Sequence, residues 1–363
     1  MKISKIQTRV VRLPADEPLG DGPATPGATR DIVTLRVLTD AGIEGIGYTF
    51  FGAALTGTLR HAVETLGGLA VGEDPLRPEA VAAKLRTAAA GSGPGGILTL
   101  ALSAIDLALW DIRGKALDLP LWRMVGGFRD RVPTYASGAL MRTFPLEHLV
   151  KAAPRLVEKG FRQMKTQLAL PGDTSPGKEV ERIRRVRESI GPSIDLMCDI
   201  NQRWRVEQAI DIGRRIEDVH LYWLEDVTAH DDYPGIARVS DALATPVAGG
   251  EYLYGPVPFR HMMEARSVDI VMIDLMRAGG VTQWLKIAGM AEAHNLPVVS
   301  HLVPEIHVHL IAAIPNGLTV EYMPWTARLF EEVPVPEKGE LAVPQKPGLG
   351  LKFDEAAIRR YGE

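Results

Sequence analysis

Three acidic residues recur at a regular interval in this chain, each at the end of a short apolar run. Asp199, Glu225 and Glu251 follow one another at intervals of 26 residues, about the length of one strand–helix unit. Carboxylates brought together repel one another unless a cation lies between them, and oxygen ligands of this kind favour Mg²⁺ over zinc. Each acid taken alone could simply begin a loop or cap a helix, but the shared spacing predicts a site for one Mg²⁺ per subunit.

Two further apolar runs end in Asp274 and His301. If these strand ends are adjacent, the Asp274 carboxylate orients the His301 imidazole and raises its basicity, which makes a general base. His307 and His309 lie two residues apart in the helix expected after Pro304, so their side chains point to different faces. We expect these two histidines on the helix surface rather than as a metal-binding pair.

Other polar residues accompany the same strand ends. Lys165 and Gln167 are two apart on the predicted second strand and therefore face the same side. Asn201 follows Asp199 by two residues, and Glu321 ends the last run. A lysine inside a barrel mouth is costly unless it meets an anion, so Lys165 predicts a substrate carboxylate near the metal. The alternative is a lysine that reaches water at a fraying strand end.

Short apolar runs alternate with amphipathic helical segments from Val132 onward. Continuous apolar runs are typical of parallel strands buried on both faces, and their alternation with helices predicts an α/β fold. Eight runs with seven intervening helices indicate a (β/α)7β TIM-type barrel, whose strand ends meet on one face where active sites lie. The predicted strands are Val132–Ser137, Gln163–Leu168, Ile194–Asp199, Leu221–Glu225, Pro246–Glu251, Ile270–Asp274, Val298–His301 and Leu318–Glu321.

The residues before the barrel predict an α+β capping domain. β-Branched segments at Ile3–Val10 and Ile32–Leu38 indicate strands, separated by a Pro/Gly/Asp stretch from Pro14 to Arg30. Loops of this length in a compact domain are typical of functional lids or of disorder. Helical segments follow, and the Pro/Gly-rich end of the chain is expected to return to the cap. The predicted domains are a cap over 1–130, a barrel over 131–325 and a returning C-terminal segment over 326–363.

The composition is that of a soluble globular enzyme. A formal net charge of −4, from 41 basic and 45 acidic residues, leaves no basic face for nucleic acid. No apolar run approaches the roughly 18 residues that span a bilayer, so no membrane partner is expected. The single cysteine, Cys198, excludes an internal disulfide and lies in an apolar run, which predicts a buried thiol in a cytoplasmic protein.

Together these residues resemble the mandelate racemase group of the enolase superfamily, over essentially the whole chain. The resemblance implies that Asp199, Glu225 and Glu251 bind Mg²⁺ and that His301 and Asp274 form a base dyad. The motifs that carry it are Lys165-Thr-Gln167, Asp199-Ile-Asn201, Trp223-Leu-Glu225, Gly250-Glu251, Ile273-Asp274 with Gly279-Gly280 after it, Ser300-His301 and Val320-Glu321.

The same resemblance implies how a substrate would be held. Lys165 and Glu321 would face the substrate carboxylate, and Asn201 would lie near the metal and a substrate oxygen. The loop around residues 14–30 and the segment Tyr48–Gly57 would close over the substrate and set specificity. The resemblance also implies a homo-oligomer with the cap near a neighbouring subunit.

The chain departs from the family pattern at two positions. Racemases of the family carry a second lysine where this chain has Gln167, which cannot take up a proton, so two-base racemisation is not expected. In the segment Glu225-Asp226-Val227, valine stands where the family often has proline after an acidic pair. The first departure indicates a base that works from one side only.

The reaction expected from these residues is dehydration of a sugar acid, an aldonate or an aldarate, to a 2-keto-3-deoxy acid. His301 would remove the proton next to the carboxylate, through an enediolate, and the imidazolium would then protonate the departing 3-hydroxyl. An isomerase, either an epimerase or a sugar-acid lactone cycloisomerase, would use the same intermediate. A third alternative is a non-catalytic sugar-acid binding protein.

Overall fold

A three-stranded antiparallel sheet begins the chain. This computed structural model describes residues 1–20, 27–170, 172 and 175–363. Strands β1 (Ile3–Pro14) and β2 (Thr29–Thr39) pair along their whole length, ending with Pro14 opposite Thr29. The predicted lid is therefore the connection between these two paired strands. Its positions 21–26 lie outside the described residues. Strand β3 (Glu44–Thr49) pairs with the other edge of β2.

The cap sheet packs against a long helix that also contacts the barrel. This helix is rich in Ala and Leu and is mostly buried, because one side lies on β3 and another on barrel helices. Close packing requires glycine in β3: a Cβ on Gly47 would lie 2.0 Å from the carbonyl oxygen of Ala104. The cap helices are α1 (Thr56–Ala70), α2 (Pro78–Ala88), α3 (Gly96–Leu117) and α4 (Leu121–Met124).

Eight parallel strands close into a barrel, as the alternating pattern predicts. Neighbours in sequence are neighbours in the sheet, and the last strand pairs with the first to complete the cylinder. The strands are β4 (Arg131–Leu140), β5 (Gln163–Gln167), β6 (Asp195–Asp199), β7 (Trp223–Glu225), β8 (Val247–Gly249), β9 (Ile270–Asp274), β10 (Val298–His301) and β11 (Gly317–Tyr322).

Seven crossovers connect these strands, each containing at least one helix. No helix of the barrel wall follows β11, where the described chain has a 3-10 turn at Ala327–Leu329. The (β/α)7β prediction is therefore confirmed. The crossover helices are α5 (Leu146–Glu158), α6 (Pro176–Ile190), α7 (Val206–Arg215), α8 (Tyr233–Ala242), α9 (Pro256–Glu264), α10 (Leu275–Ala278), α11 (Val281–Ala293) and α12 (Pro304–Ala313).

The C-terminal tail contacts both parts of the molecule. Strand β12 (Glu340–Ala342) pairs antiparallel with β4 on the outside of the barrel. Helix α13 (Glu355–Tyr361) packs on β1, and the Glu363 N–H donates to the Val10 carbonyl. The tail thus fastens the cap to the barrel.

The prediction that His307 and His309 lie on a helix surface was wrong. All ten residues of α12 are buried, because α4 and the tail cover the side that a barrel helix usually exposes. His307 Nδ1 lies 2.7 Å from the Leu302 carbonyl, and His309 Nε2 lies 3.2 Å from the Leu349 carbonyl. Burial lowers the pKa of each histidine to about 4, so both are neutral core residues at neutral pH.

Cys198 lies inside β6 and is fully buried, as its apolar surroundings predict. Burial raises the pKa of its thiol, which keeps the group protonated and unreactive. None of the helices in the described part of the chain is long and apolar enough to span a membrane.

Candidate active site

Adjacent strands of the barrel end in register, and this places the predicted polar residues side by side. Gln167 is opposite Asp199, and Asp199 is opposite Glu225, on three neighbouring strands. Across the barrel, Asp274 is opposite His301. Parallel strands share one carboxyl end, so these side chains collect at a single mouth.

The acidic residues form a buried group at this mouth. One oxygen each of Asp199, Glu225 and Asp226 lies within 4.8 Å of the other two, a spacing at which the three could hold one metal ion. Glu251 lies two residues beyond the end of β8 and lines the same cavity. Gly250 allows this bend, since its φ is +125° and a Cβ there would meet the Met272 carbonyl oxygen at 2.7 Å.

The oxygens of these acids fit a divalent cation. Asp226 Oδ2 and Glu251 Oε2 are both buried and make no hydrogen bond to any residue the structure describes. Burial raises the pKa of Glu225 to about 7 and those of Asp226 and Glu251 well above the usual range, with neighbouring carboxylates adding to the effect. Unpartnered buried carboxylates are costly, and a hard cation that takes oxygen ligands would relieve that cost.

Lys165 lies between two of the predicted site acids. Its Nζ is 2.5 Å from Glu225 Oε1 and 2.9 Å from Glu321 Oε1. Burial alone would lower the pKa of Lys165, but these carboxylates raise it well above the ordinary value. Despite its burial, Glu321 has a pKa of about 2, because Lys165 and the Leu302 N–H stabilise its charge. Lys165 is therefore a fixed cation facing the cavity.

His301 and Asp274 form the predicted pair. His301 Nδ1 lies 2.7 Å from Asp274 Oδ2, and the other Asp274 oxygen accepts from the Arg277 N–H at the start of α10. Nε2 points into the cavity, 3.4 Å from Glu251 Oε2. Burial lowers the pKa of His301, but Glu251 and Asp274 together raise it to about 9. The ring is thus held by one acid and faces a second.

Aromatic side chains from the cap and the tail cover this mouth. Phe51, in the predicted substrate-closing segment, lies parallel to the His301 ring with centroids 6.4 Å apart. Trp325 also lines the cavity, and its Nε1 donates to Glu17 Oε2 at 2.9 Å. Arg30 stacks on the same indole at 4.2 Å. The two ends of the 14–30 loop therefore meet the site through Trp325.

Several cavity residues were not identified from the sequence. Arg142 donates to Asn201 Oδ1 at 2.6 Å, so it positions the amide expected near the metal. Tyr252 and Arg277 also line the cavity. All three follow a strand end by two or three residues, and Asn201 likewise follows β6 by two. Arginine and tyrosine are common in loops, so closeness to a strand end does not by itself separate them from surface residues.

The cavity bounded by these residues has a volume of about 360 Å³, a size suited to a small ligand. Lys165 and Gln167 both face it, as their spacing predicts, with Asp199, Glu251, His301 and Glu321 around them. A cavity that combines a lysine cation, a metal-type acid group and a histidine base is suited to chemistry beside a carboxylate.

Such a site in a capped barrel defines a class of metal-assisted enzymes, and comparison with known proteins places the chain within it. Residues 6–126 match the model of the mandelate racemase/muconate lactonizing enzyme N-terminal domain, and residues 148–357 match that of the enolase C-terminal domain-like family. The chain belongs to the mandelate racemase/muconate lactonizing enzyme family of the enolase superfamily.

Its similar relatives act on sugar acids. The chain is 32% identical to a 3,6-anhydro-α-L-galactonate cycloisomerase of Streptomyces coelicolor, over 99% of both chains. It is also 32% identical to the L-talarate/galactarate dehydratase of Salmonella typhimurium, over 99% of this chain and 90% of that one. The structure of L-talarate dehydratase from Polaromonas sp. JS666, complexed with Mg and L-glucarate, superposes with a TM-score of 0.92 at 29% identity, covering 100% of this chain and 97% of that one.

Proposed function

We propose that this protein is a Mg²⁺-dependent sugar-acid dehydratase that removes the proton beside a carboxylate and expels water. The observation that carries the proposal is the His301–Asp274 pair facing a buried acid group across one small cavity. The dehydratases among its relatives, and the structures of such enzymes with bound Mg, support the same function.

The metal ligands in this proposal are Asp199, Glu225 and Glu251. Asp226 adds a fourth buried carboxylate to the group. Bound there, Mg²⁺ would supply positive charge beside the substrate carboxylate and so favour ionisation of the neighbouring C–H bond. Lys165 contributes a second fixed positive charge on the wall of the same cavity.

His301 carries out both proton transfers. Its Nδ1–H donates to Asp274, which leaves the Nε2 lone pair facing the cavity. Nε2 takes the α-proton, and the electron pair of the C–H bond moves into the carboxylate to give an enediolate. Nε2–H then protonates the 3-hydroxyl, the C3–O bond breaks, and water leaves. The resulting enol tautomerises to the 2-keto-3-deoxy acid.

Gln167 faces the same cavity and has no basic atom, so proton removal takes place from the His301 side only. The Lys165 amine also faces this cavity, but its ion pairs with Glu225 and Glu321 hold its proton. The proposed reaction therefore needs one base, and it needs the 3-hydroxyl on the same face as the α-proton.

A cycloisomerase is the second candidate, since a relative of that activity matches the chain over its full length. It would make the same enediolate but lose no water to solvent. Incubation of a sugar-acid library with enzyme and Mg²⁺ in D₂O separates the two. A 2-keto-3-deoxy product supports the dehydratase, and rearrangement without loss of water supports the cycloisomerase. No exchange of any α-proton would contradict both.

We also propose that the enzyme works in the cytoplasm as a homo-oligomer. Its lone cysteine is buried, which fits a reducing compartment. Leu55, Leu69 and Val71 are exposed on the cap, where apolar surface favours contact with another protein surface. Cell fractionation tests the first statement and light scattering the second. A secreted pool or a monomeric mass would contradict them.

A further inference from the structure

Phe51 has a strained backbone conformation at the mouth of the reaction cavity. It follows β3 by two residues, and its φ is +70°. Bulky L-residues rarely adopt a positive φ, and such a conformation persists only where surrounding contacts hold it. The Phe51 ring lines the cavity and lies parallel to the His301 ring, with centroids 6.4 Å apart. The cap therefore keeps this ring beside the base at a cost in backbone energy.

The Phe51 ring also lies between the reaction cavity and a second cavity. The second cavity has a volume of about 480 Å³, and its walls include the exposed residues Thr29 and Ala53. Among the described residues that line the two cavities, Phe51 and Trp325 are common to both. These two aromatic side chains therefore stand between His301 and the more exposed cavity.

Arg277 contacts the Phe51 ring from the barrel. Its guanidinium carbon lies 3.9 Å from the centre of the Phe51 ring and 4.9 Å from the centre of the Tyr252 ring. A guanidinium over an aromatic face is attracted by the quadrupole of the ring, more strongly where both groups are withdrawn from water. Phe50 packs on Phe51 from within the cap, with centroids 4.4 Å apart. Arg277 is thus the contact that ties the strained residue to the barrel.

Arg277 is itself fixed to both parts of the candidate site. Its backbone N–H donates to Asp274 Oδ1 at 2.7 Å, and its guanidinium donates to the Glu251 carbonyl at 3.0 Å. Its own carbonyl accepts from the Gly255 N–H at 3.0 Å. A planar guanidinium can stack through its face and donate through its edge at the same time. The position that Arg277 gives Phe51 is therefore set relative to the partner of the base and to a proposed metal ligand.

We propose that Arg277 is a positioning residue that holds the Phe51 ring over His301. The ring keeps solvent from Nε2 while this atom carries the proton taken from the substrate, because a closed site limits the leakage of protons to water. The proton then reaches the departing 3-hydroxyl. This inference rests on the proposed function and deepens it, since it names the residues that guard the proton between its two transfers.

The first test follows the substrate proton in D₂O. The full-length enzyme with Mg²⁺ is given its productive sugar acid. The amount of α-deuterium in the recovered substrate is divided by the amount of 2-keto-3-deoxy product. Deuterium enters the substrate when the proton on Nε2 exchanges with solvent before the enediolate is reprotonated, so a shielded Nε2 keeps this ratio low. The ratio compares two fates of one intermediate, and a general loss of active enzyme does not change it.

Two variants remove the two sides of the contact. Phe51→Leu removes the ring and keeps every charge of the site, and Arg277→Gln removes the cation that holds the ring. We expect Arg277→Gln to raise the ratio by about 3- to 10-fold, the worth of one partly buried cation–π contact. Phe51→Leu should raise it at least as much. In the double variant, Arg277→Gln should add no further increase, because it acts through Phe51.

Another arginine–phenylalanine pair provides the matched control. The guanidinium carbon of Arg129 lies 4.8 Å from the centre of the Phe128 ring, which is the same kind of contact. Phe128 is 59% exposed and lines neither cavity. Phe128→Leu should leave both the ratio and the rate of product formation unchanged.

A second test needs no substrate. Diethyl pyrocarbonate acylates uncharged imidazoles, and mass spectrometry gives the rate of labelling of His301 relative to exposed His294 in the same sample. Phe51→Leu leaves the charges around His301 in place, so a faster reaction in this variant reports access to the ring. We expect the relative rate to rise in Phe51→Leu and in Arg277→Gln, and to stay at the wild-type value in Phe128→Leu.

Different results would overturn different parts of the inference. A wild-type ratio and a wild-type labelling rate in Phe51→Leu would overturn the shielding of His301, while the proposed function would stand. A rise in Phe51→Leu without one in Arg277→Gln, or effects that multiply in the double variant, would overturn the role of Arg277. If no acid is turned over, the proposed function fails, and the labelling of His301 alone supports or overturns the position assigned to Phe51.

Discussion

At the residue scale, neighbours decide what each ionisable side chain can do. Lys165 and His301 both face the cavity as possible bases. Two carboxylates hold the proton on Lys165. His301 has Asp274 behind its ring, and its Nε2 faces the cavity 3.4 Å from Glu251 Oε2, an oxygen of a proposed metal ligand. The same barrel mouth therefore contains one fixed cation and one proton carrier, which is the division that a one-sided elimination requires.

Replacing His301 tests this division. We expect His301→Asn to lower the rate of α-proton exchange by at least about 10²–10⁴, the usual contribution of a general base. Mg²⁺ affinity, measured by titration calorimetry, should stay near the wild-type value, because the imidazole is not a ligand in the proposal. The control His294→Asn changes an exposed histidine and should keep full activity. Exchange by His301→Asn at a wild-type rate would assign the base elsewhere.

Asp274 should set the pH at which His301 works. Glu251 and Asp274 raise the pKa of His301 to about 9 despite its burial, and the base is active only when deprotonated, so kcat/KM should rise with pH through the pKa of the free enzyme. A cation bound at Glu251 would weaken the influence of that carboxylate on His301. We therefore expect kcat/KM to rise at a pH between 6.5 and 9. We expect Asp274→Asn to move it to lower pH, measured in pH profiles of exchange. An upward or absent shift would contradict this, and exposed Asp241→Asn serves as control.

Site residues were predictable where their type is rare and their position repeats. Asp199, Glu225 and His301 close apolar runs in phase, and polar residues in such positions need an explanation. Asp226 was seen in the sequence only as part of an acidic pair, although it joins the tight carboxylate group, because a residue next to a strand end points in a direction that only the backbone reveals. Arg142 and Arg203 lie in loops, where charged residues are ordinary.

At the element scale, strand register does most of the positioning. Strand β6 lies between β5 and β7, and the polar residues that end the three strands are in register. The strand pairing itself therefore brings these side chains together, without a contribution from the loops. The barrel was predictable because its strands are continuous apolar runs at regular spacing. The burial of α12 was not predictable, because the sequence of the helix carries no information about α4 and the tail, which cover it.

A buried hydrogen-bond network should stabilise the contact between cap and barrel. Glu305 of α12 accepts from the Tyr48 hydroxyl of β3 and from the Thr326 hydroxyl at the start of the tail. Tyr48→Phe removes one donor from a buried carboxyl, so we expect the free energy of unfolding to fall by about 1–3 kcal/mol in denaturant titrations. The control is Tyr361→Phe, whose hydroxyl has no partner among the described residues. Equal stability of Tyr48→Phe and the wild type would contradict this role.

At the scale of the whole molecule, the barrel provides the chemistry and the cap closes it from solvent. Phe51 and Trp325 come from outside the barrel strands, yet both line the reaction cavity. Enclosure raises the strength of every charge interaction in the site, and it also makes the unpartnered acids expensive to keep. The proposed metal therefore matters for folding stability as well as for catalysis.

The pKa values give the sign of this link to stability. Glu225 has an ordinary pKa of 4.5, which burial raises to about 7, so its contribution to stability is lost as pH rises from 4.5 through 7. His301 acts in the same direction between 6.5 and 9. Glu321 has a lowered pKa of about 2, so its contribution is fully present above 4.5 and is constant across this window. His307 and His309, whose pKa values burial lowers to about 4, act in the opposite direction between 4 and 6.5. Above pH 6.5 the losses from Glu225 and His301 are no longer offset, so the metal-free protein should lose stability from pH 6.5 to pH 8.

Magnesium should reverse that loss, because it binds the ionised carboxylates and replaces the protons they would otherwise hold. We expect the rise in Tm caused by Mg²⁺ to be small at pH 5 and to grow towards pH 8. The corresponding gain in the free energy of unfolding should approach about 2.7 kcal/mol at a Mg²⁺ concentration 100 times the Kd. Scanning calorimetry with and without EDTA measures it. Glu251→Gln should reduce the gain at every pH, and exposed Glu264→Gln should not. A gain that falls as pH rises would show that the buried acids are not the metal site.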